Sequence, residues 1–222
     1  VRDTADPWFD NVSLLLQPAA GDAVIEDKSP NAHSITNNGV TLDDTNQKWN
    51  GAASMLFERA NDDNLQVTTR AVDNFDWTVS FWAYFNTLPS SNTSLFDIRN
   101  GTVHEGFDVF SKNDGLRVST NGTVYANADA VLSTSVWHLI TATRKSNTVY
   151  ITVDGALEGT GDISSLTGVA TGVTIGNGLN NPFDGNMSSV RFDIGPARYT
   201  AAFTPPTRPF PTRRFVSGII QP

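Results

Sequence analysis

Cysteine is absent from the 222 residues, which excludes disulfide scaffolds, thiolate zinc sites, iron–sulfur clusters and cysteine nucleophiles. Lysine and glutamate are scarce, with four of each. Basic residues number 15 against 23 acidic ones, a net charge of −8. Phosphate-backbone binding needs a basic face, and no basic cluster occurs, so no nucleic-acid partner is expected. Charged residues are only 17% and apolar residues 39%, which excludes a coiled coil and a disordered acidic tail. No apolar run approaches the ~20 residues of a membrane-spanning helix, and membrane insertion is not expected. No segment sustains a 3.6-residue period.

What is present is strand signal. Seventeen glycines and eleven prolines, with many Asn, Ser and Thr, cut the chain into short runs rich in Val, Ile, Thr, Phe and Trp. Trp77, Val79, Phe81, Ala83 and Phe85 fall on one face of a strand; Thr78, Ser80, Trp82 and Tyr84 fall on the other. Val149–Val153 and Ser189–Ile194 alternate in the same way. Asn113-Asp114-Gly115, Asn121-Gly122 and Asp154-Gly155 supply the positive φ of tight hairpins, so 107–127 reads as a three-strand meander. Lys145-Ser146-Asn147 reverses the chain after 137–144. A dozen or more short strands at this spacing predict an all-β sandwich or barrel rather than βαβ units. Phe81 and Trp137 are expected in the core between the sheets. Gly51 to Ser54 are expected to be small because another layer approaches there.

The C-terminus changes character. Pro205, Pro206, Pro209, Pro211 and Pro222 cannot serve a central ladder, so 204–222 is an extended Pro-rich arm. It carries Phe210, Phe215, Ile219 and Ile220, and Trp8 and Phe9 form a second apolar anchor within 1–11. Residues 12–203 lie between as the folded domain. The arm either folds back along its own domain or docks on a neighbouring subunit.

Ordered motifs carry a resemblance. Asp27-Lys28-Ser29-Pro30-Asn31-Ala32-His33, the small segment 51–57, Phe75–Trp82, Trp137-His138-Leu139 through Arg144 and Val149–Gly155 resemble, in order and spacing, a laminin-G-like, concanavalin A-type jelly roll. Ala197-Arg198-Tyr199-Thr200 with Phe203–Pro206 is similar to the closing segment of copies carried by bacteriophage virion proteins. The resemblance covers 8–211 and implies two packed antiparallel sheets. It also implies that a structural Ca2+ is to be considered, with Asp27 and Asn31 as ligands; calcium wants six to eight oxygens. Ser188 and Ser189 stand where the family usually has an Asp-Glu pair, a loss that weakens or abolishes such a site, and no cofactor is expected.

The same sandwich is used by glucanases, whose catalytic carboxylates stand as E-x-D-x-x-E on one strand. None of Glu26, Glu58, Glu105 and Glu158 sits in that pattern. There is no G-x-S-x-G elbow, no P-loop and no H-E-x-x-H, and His33, His104 and His138 are scattered. Asp108-Val109-Phe110 is similar to the metal loop of legume lectins, but Asn113 is misplaced and a hairpin explains the segment. A non-enzyme is expected.

Two functions fit. One is a phage virion protein (fibre, tail or capsid decoration) that assembles with identical subunits or other virion proteins and attaches to host-surface glycans. The other is a carbohydrate-binding adhesion module of a bacterial cell surface. Sugar-stacking candidates are Trp82 and Tyr84, with Tyr125 and Tyr150 nearby if the sheets order as expected. Asn177 and Asn180 offer hydrogen-bonding groups from a loop.

Overall fold

The computed structural model describes residues 6–72, 75–99, 106–120, 123–166 and 170–213. Within them the chain forms fifteen strands and two short 3-10 turns, with no α-helix. The eight-stranded sheet runs β13 (Ala156–Asp162), β12 (Thr148–Val153), β11 (Trp137–Lys145), β6 (Trp77–Phe85), β15 (Gly185–Ile194), β4 (Ser54–Phe57) and β3 (Thr41–Asp43), with β1 (Val12–Leu16) also paired to β15. The seven-stranded sheet runs β10 (Thr123–Ala128), β9 (Gly115–Thr120), β8 (Asp108–Lys112), β7 (Thr93–Asp97), β14 (Ala170–Ile175), β5 (Asn64–Val72) and β2 (Ile35–Asn38). All strand pairs within the sheets are antiparallel. This is the expected all-β, jelly-roll-like sandwich. The hairpins turn where Asn113, Ser146 and Asp154 adopt positive φ of 53°, 53° and 50°, and β8, β9 and β10 form the expected meander.

The period-2 alternation assigns the faces. Trp77, Val79, Phe81, Ala83 and Phe85 all enter the core between the sheets. There Trp77 stacks on Phe107 at 3.8 Å between ring centroids, and Phe96, Phe107 and Phe192 continue the aromatic layer. Full burial of each such ring is worth roughly 1.5–3 kcal/mol. Trp137 departs from expectation. It stands opposite Tyr84 in register, so it lies on the outer face, half-buried against Tyr84 with ring centroids at 5.6 Å. Gly51 also has a different reason from the one expected: nothing lies within 4 Å of a Cβ built there, and its φ of +80° selects glycine. Ala52, Ala53 and Ser54 are the buried small residues.

Candidate ligand-binding face

The two outer faces of the sandwich differ. That of the eight-stranded sheet is covered by the chain's own terminal segments and by residues 44–52. Phe9, Val12, Leu15, Trp82, Leu139 and Phe210 form a second apolar cluster, with Trp49, Trp137 and Phe203 packed against it. The arm is pinned by the Phe203 N–H donating to Gly155 O at 2.8 Å and by Gln17 Nε2 donating to the Phe210 carbonyl at 3.0 Å. As far as it is described, the arm therefore folds back along its own sheet, the first of the two expected arrangements, with Phe9 and Phe210 packed within the subunit. Phe215, Ile219 and Ile220 lie outside the described residues. Charge completes the cover. Asp6 Oδ2 takes Arg191 Nη2 at 2.5 Å and Arg198 Nη2 at 3.0 Å, and both guanidinium groups also reach Asp193.

Trp82 is correctly placed on the outer face but is only 5% exposed. Lys48 Nζ sits 3.7 Å above its ring and Trp49 packs edge-on at 5.5 Å, so neither ring face is open to a sugar. Tyr84 leans on Trp137. Tyr150 lies on the same outer face but opposite Thr143, itself opposite Thr78, six residues along the strand from Tyr84, or about 20 Å. Tyr125 belongs to the other sheet, packs against the main core and takes Ser165 Oγ on its hydroxyl at 3.2 Å. The four aromatic residues thus form no common surface.

Asp27 organises the turn it stands in. Its Oδ1 accepts from the Leu15 and Ser29 N–H groups, both at 2.9 Å, and its Oδ2 from Ser29 Oγ, the His33 N–H and His33 Nδ1 at 2.8, 2.9 and 2.7 Å. Five donors fill the carboxylate. Asn31 Nδ2 donates to Val12 O and Ser13 O. This is a side-chain-organised turn that clamps β1 through the Asp27 carboxylate and the Asn31 amide nitrogen. Among the described residues no group of three or more His, Cys, Asp or Glu could hold a metal ion.

A Ser–His–Asp series does occur. His138 Nδ1 lies 2.7 Å from Asp154 Oδ2 and Nε2 lies 2.9 Å from Ser133 Oγ. The Ser133 backbone N–H also donates to Nε2 at 3.1 Å. That occupies the lone pair a general base needs, and fixes Nδ1 as the protonated nitrogen. Asp154 Oδ1 accepts the Leu139 N–H at 2.8 Å, so the set locks the β11–β12 hairpin.

The outer face of the seven-stranded sheet is built differently. Register places Thr36, Gln66, Thr174, Asp97, Asp108 and Ser119 directly opposite one another in succession across β2, β5, β14, β7, β8 and β9. Their chain neighbours, among them Ile35, Val67, Val173, Phe96, Val109 and Val118, face the core. Above the β2–β5–β14 end lies a groove of about 680 Å³ reached by His33, Thr36, Gln66, Thr68, Arg99 and Thr174. It continues into a smaller cavity of about 220 Å³ that shares Gln66, Arg99 and Thr174 and adds Asn64, Asp97 and Asn177.

Arg99 forms the floor where the two meet. Its Nε and Nη2 reach Asp97 at 2.9 and 2.6 Å, and Nη2 reaches Asp108 at 2.9 Å. Burial works against its charge, but the two carboxylates outweigh that and raise its pKa. Asp108 is fully buried, and Ser94 Oγ and Asn180 Nδ2 also donate to its Oδ2. Burial, then the charge of Asp97, push its pKa up to about 8. The loop after β14 closes the end of this floor: the Leu179 N–H donates to Asp97 Oδ2 at 3.1 Å. Gly178 permits that approach, since a Cβ there would meet Asp97 Oδ2 at 2.3 Å. Of the two loop asparagines expected to bind ligand, Asn180 is thus committed to the floor. Asn177 lines the cavity with its side-chain oxygen taking the Gly178 N–H. Although Asp97 and Asp108 are paired carboxylates, their side chains are 2% and 0% exposed. Asp97 borders the smaller cavity, but both carboxylates are held by Arg99, unlike the free acid and its partner carboxylate that glycoside hydrolysis requires.

The sequence reading missed this row because it treated each strand by itself. Gln66, Thr174 and Asp97 are more than 100 residues apart at the extremes, and only the strand order makes them neighbours. The local signal was present in the alternation of Asp97 and Arg99 with Phe96 and Ile98.

One closed face and one open polar face, on two stacked antiparallel sheets, define a jelly-roll sandwich of the concanavalin A type. The chain belongs to the Laminin_G_3 family, described as the concanavalin A-like lectin/glucanases superfamily, whose model matches residues 59–193. No curated protein sequence matches. Among solved structures, the serotype D botulinum neurotoxin binding domain superposes with a TM-score of 0.66 at 12% identity, covering 86% of this chain and 50% of that one. The serotype C1 binding domain gives 0.61 at 16%, covering 83% and 49%. The binding domain of botulinum neurotoxin DC in complex with SialylT gives 0.60 at 17%, covering 83% and 48%. The chain spans about half the length of these structures, and at such identities the likeness concerns the fold.

Proposed function

We propose that this chain is a non-catalytic recognition domain that binds carbohydrate in the groove on the outer face of the seven-stranded sheet. The observation that carries the reading is the cross-strand row Thr36–Gln66–Thr174, with Arg99 beside it in the groove lining. It is a line of amide and hydroxyl groups on rigid strands, matched to a ligand made of hydroxyl groups. One structural neighbour was solved with SialylT bound, which agrees with this ligand class. We further place the domain in a phage virion, as a fibre, tail or capsid-decoration component attaching to host-surface glycans. The closing segment 197–206, similar to that of virion copies, supports this. Assembly with identical subunits would fall to Phe215, Ile219 and Ile220, since Phe9 and Phe210 are used within the subunit.

A glycan array probed with the purified chain and with Gln66→Ala and Thr174→Ala tests the binding reading. Binding weakened at least tenfold in both variants, with unchanged melting temperature, supports the groove. Silence across neutral and acidic glycans, or binding unaffected by either change, overturns it. Neighbouring genes that encode virion proteins support the particle assignment, and neighbours that encode cell-wall or surface proteins favour the adhesion module instead.

A further inference from the structure

A second cleft opens at one end of the eight-stranded sheet, where Trp8, Asn11, Asp76, Lys145, Arg198 and Tyr199 surround a volume of about 730 Å³. That is the size of a small-ligand pocket, and it shares no residue with the groove on the other sheet.

Trp8 is the anomaly in it. The side chain is 56% exposed, yet its backbone is held on both sides. Its N–H donates to Asp6 Oδ1 at 2.8 Å and its carbonyl accepts the Asn11 N–H at 2.9 Å. Asp6 and Phe9 beside it are buried. A frayed terminus does not account for the exposure. Folding leaves an indole in water at a fixed place, forgoing roughly 1.5–3 kcal/mol that its burial would bring.

Of the two cations around that ring, one is unpaired among the described residues and one is partly committed. Lys145 makes no ion pair among the described residues and is exposed. Arg198 spends Nη2 on Asp6 and Asp193, while its Nε is buried without an acceptor among the described residues. Tyr199 is fixed by stacking on Phe203 at 4.1 Å. Asp76, the one carboxylate, already accepts the Ser146 N–H on Oδ1 at 2.6 Å. An open aromatic face beside the unpaired Lys145 ammonium and the partly exposed edge of Arg198 suits a ligand with a flat C–H surface and a carboxylate.

We infer that this cleft is a second binding site, for a carboxylate-bearing saccharide, with the sugar ring on Trp8 and the carboxylate directed to Lys145 and Arg198. The inference shares a ligand class with the proposed function but none of its residues.

The probes are a sialic acid-terminated lactose and a glucuronate-terminated disaccharide, each also as its methyl ester, titrated calorimetrically against the full chain. At least tenfold weaker binding of the acids is expected in Trp8→Ala and in Lys145→Ala, with the melting temperature unchanged and partial rescue in Trp8→Phe. The methyl esters are expected to bind at least tenfold more weakly than the acids, and Gln66→Ala to leave acid binding unaltered. The inference is overturned if neither acid binds, if esters and acids bind alike, or if both cleft variants bind as the parent does. Loss in Gln66→Ala alone would place the acid in the groove. Binding of a short polyglutamate peptide but of neither acid would assign the cleft to acidic protein segments instead.

Discussion

Asp97 and Asp108 stand directly opposite each other on neighbouring strands, and the same Arg99 Nη2 touches both, at 2.6 and 2.9 Å. Two buried carboxylates thus share one cation. Like charges held this way cannot both ionise cheaply, and burial, then the Asp97 charge, raise the pKa of Asp108 to about 8.

The sign of the resulting pH dependence follows. Asp108 binds its proton more tightly folded than unfolded, so its contribution is fully present below about pH 4, the ordinary carboxylate range. It is lost as pH rises through about 8. Melting temperature should therefore fall between pH 6 and pH 9, and Asp108→Asn should flatten that fall. Each kcal/mol is worth roughly 2–4 °C in a chain of this size. An equal slope in parent and variant across that window would refute the raised pKa of Asp108.

Asp6 behaves in the opposite sense. Burial alone would raise its carboxyl, but the Arg191 charge, the Trp8 N–H and Arg198 together hold it below the ordinary range. Its contribution is present above about pH 4 and is lost as pH falls through the depressed value. Asp6→Ala should cost about 2 kcal/mol at pH 7, the scale of hydrogen bonds to a charged group. The difference from the parent should shrink as pH falls below 4. Denaturant unfolding at pH 7 and pH 3 measures both, and a difference independent of pH would show that Asp6 acts by packing alone.

How much was legible in the sequence depended on range. Alternation over Trp77–Phe85 assigned every side chain of that strand to its correct face, and Asn113, Ser146 and Asp154 marked hairpins that formed. These are properties of neighbouring residues. What covers a face is not. Trp82 is hidden by Lys48, Trp49 and the cluster that includes Phe210, and an outward-pointing strand residue carries no mark of a lid that arrives from elsewhere in the chain. The short polar run around Asp27 suits a turn, but the five donors to its carboxylate include Leu15 and His33, which a local turn pattern does not supply. The polar row needed the order β7–β14–β5–β2, in which sequence neighbours are not strand neighbours.

Trp82 separates the two faces experimentally. On an open sheet its removal would abolish ligand binding and leave stability nearly unchanged. Buried between Lys48 and the second apolar cluster, it should behave as a core residue, and Trp82→Ala should cost roughly 3–5 kcal/mol, the range for deleting a large buried aromatic. The indole Nε1 is buried without an acceptor among the described residues, so Trp82→Phe should recover most of that loss while removing an unsatisfied donor. Denaturant midpoints for the three proteins rank them as parent, near-parent Phe and strongly destabilised Ala. Should Trp82→Ala instead keep its midpoint and lose glycan binding, the terminal segments must lift from the sheet in solution, and the eight-stranded sheet would be the recognition face.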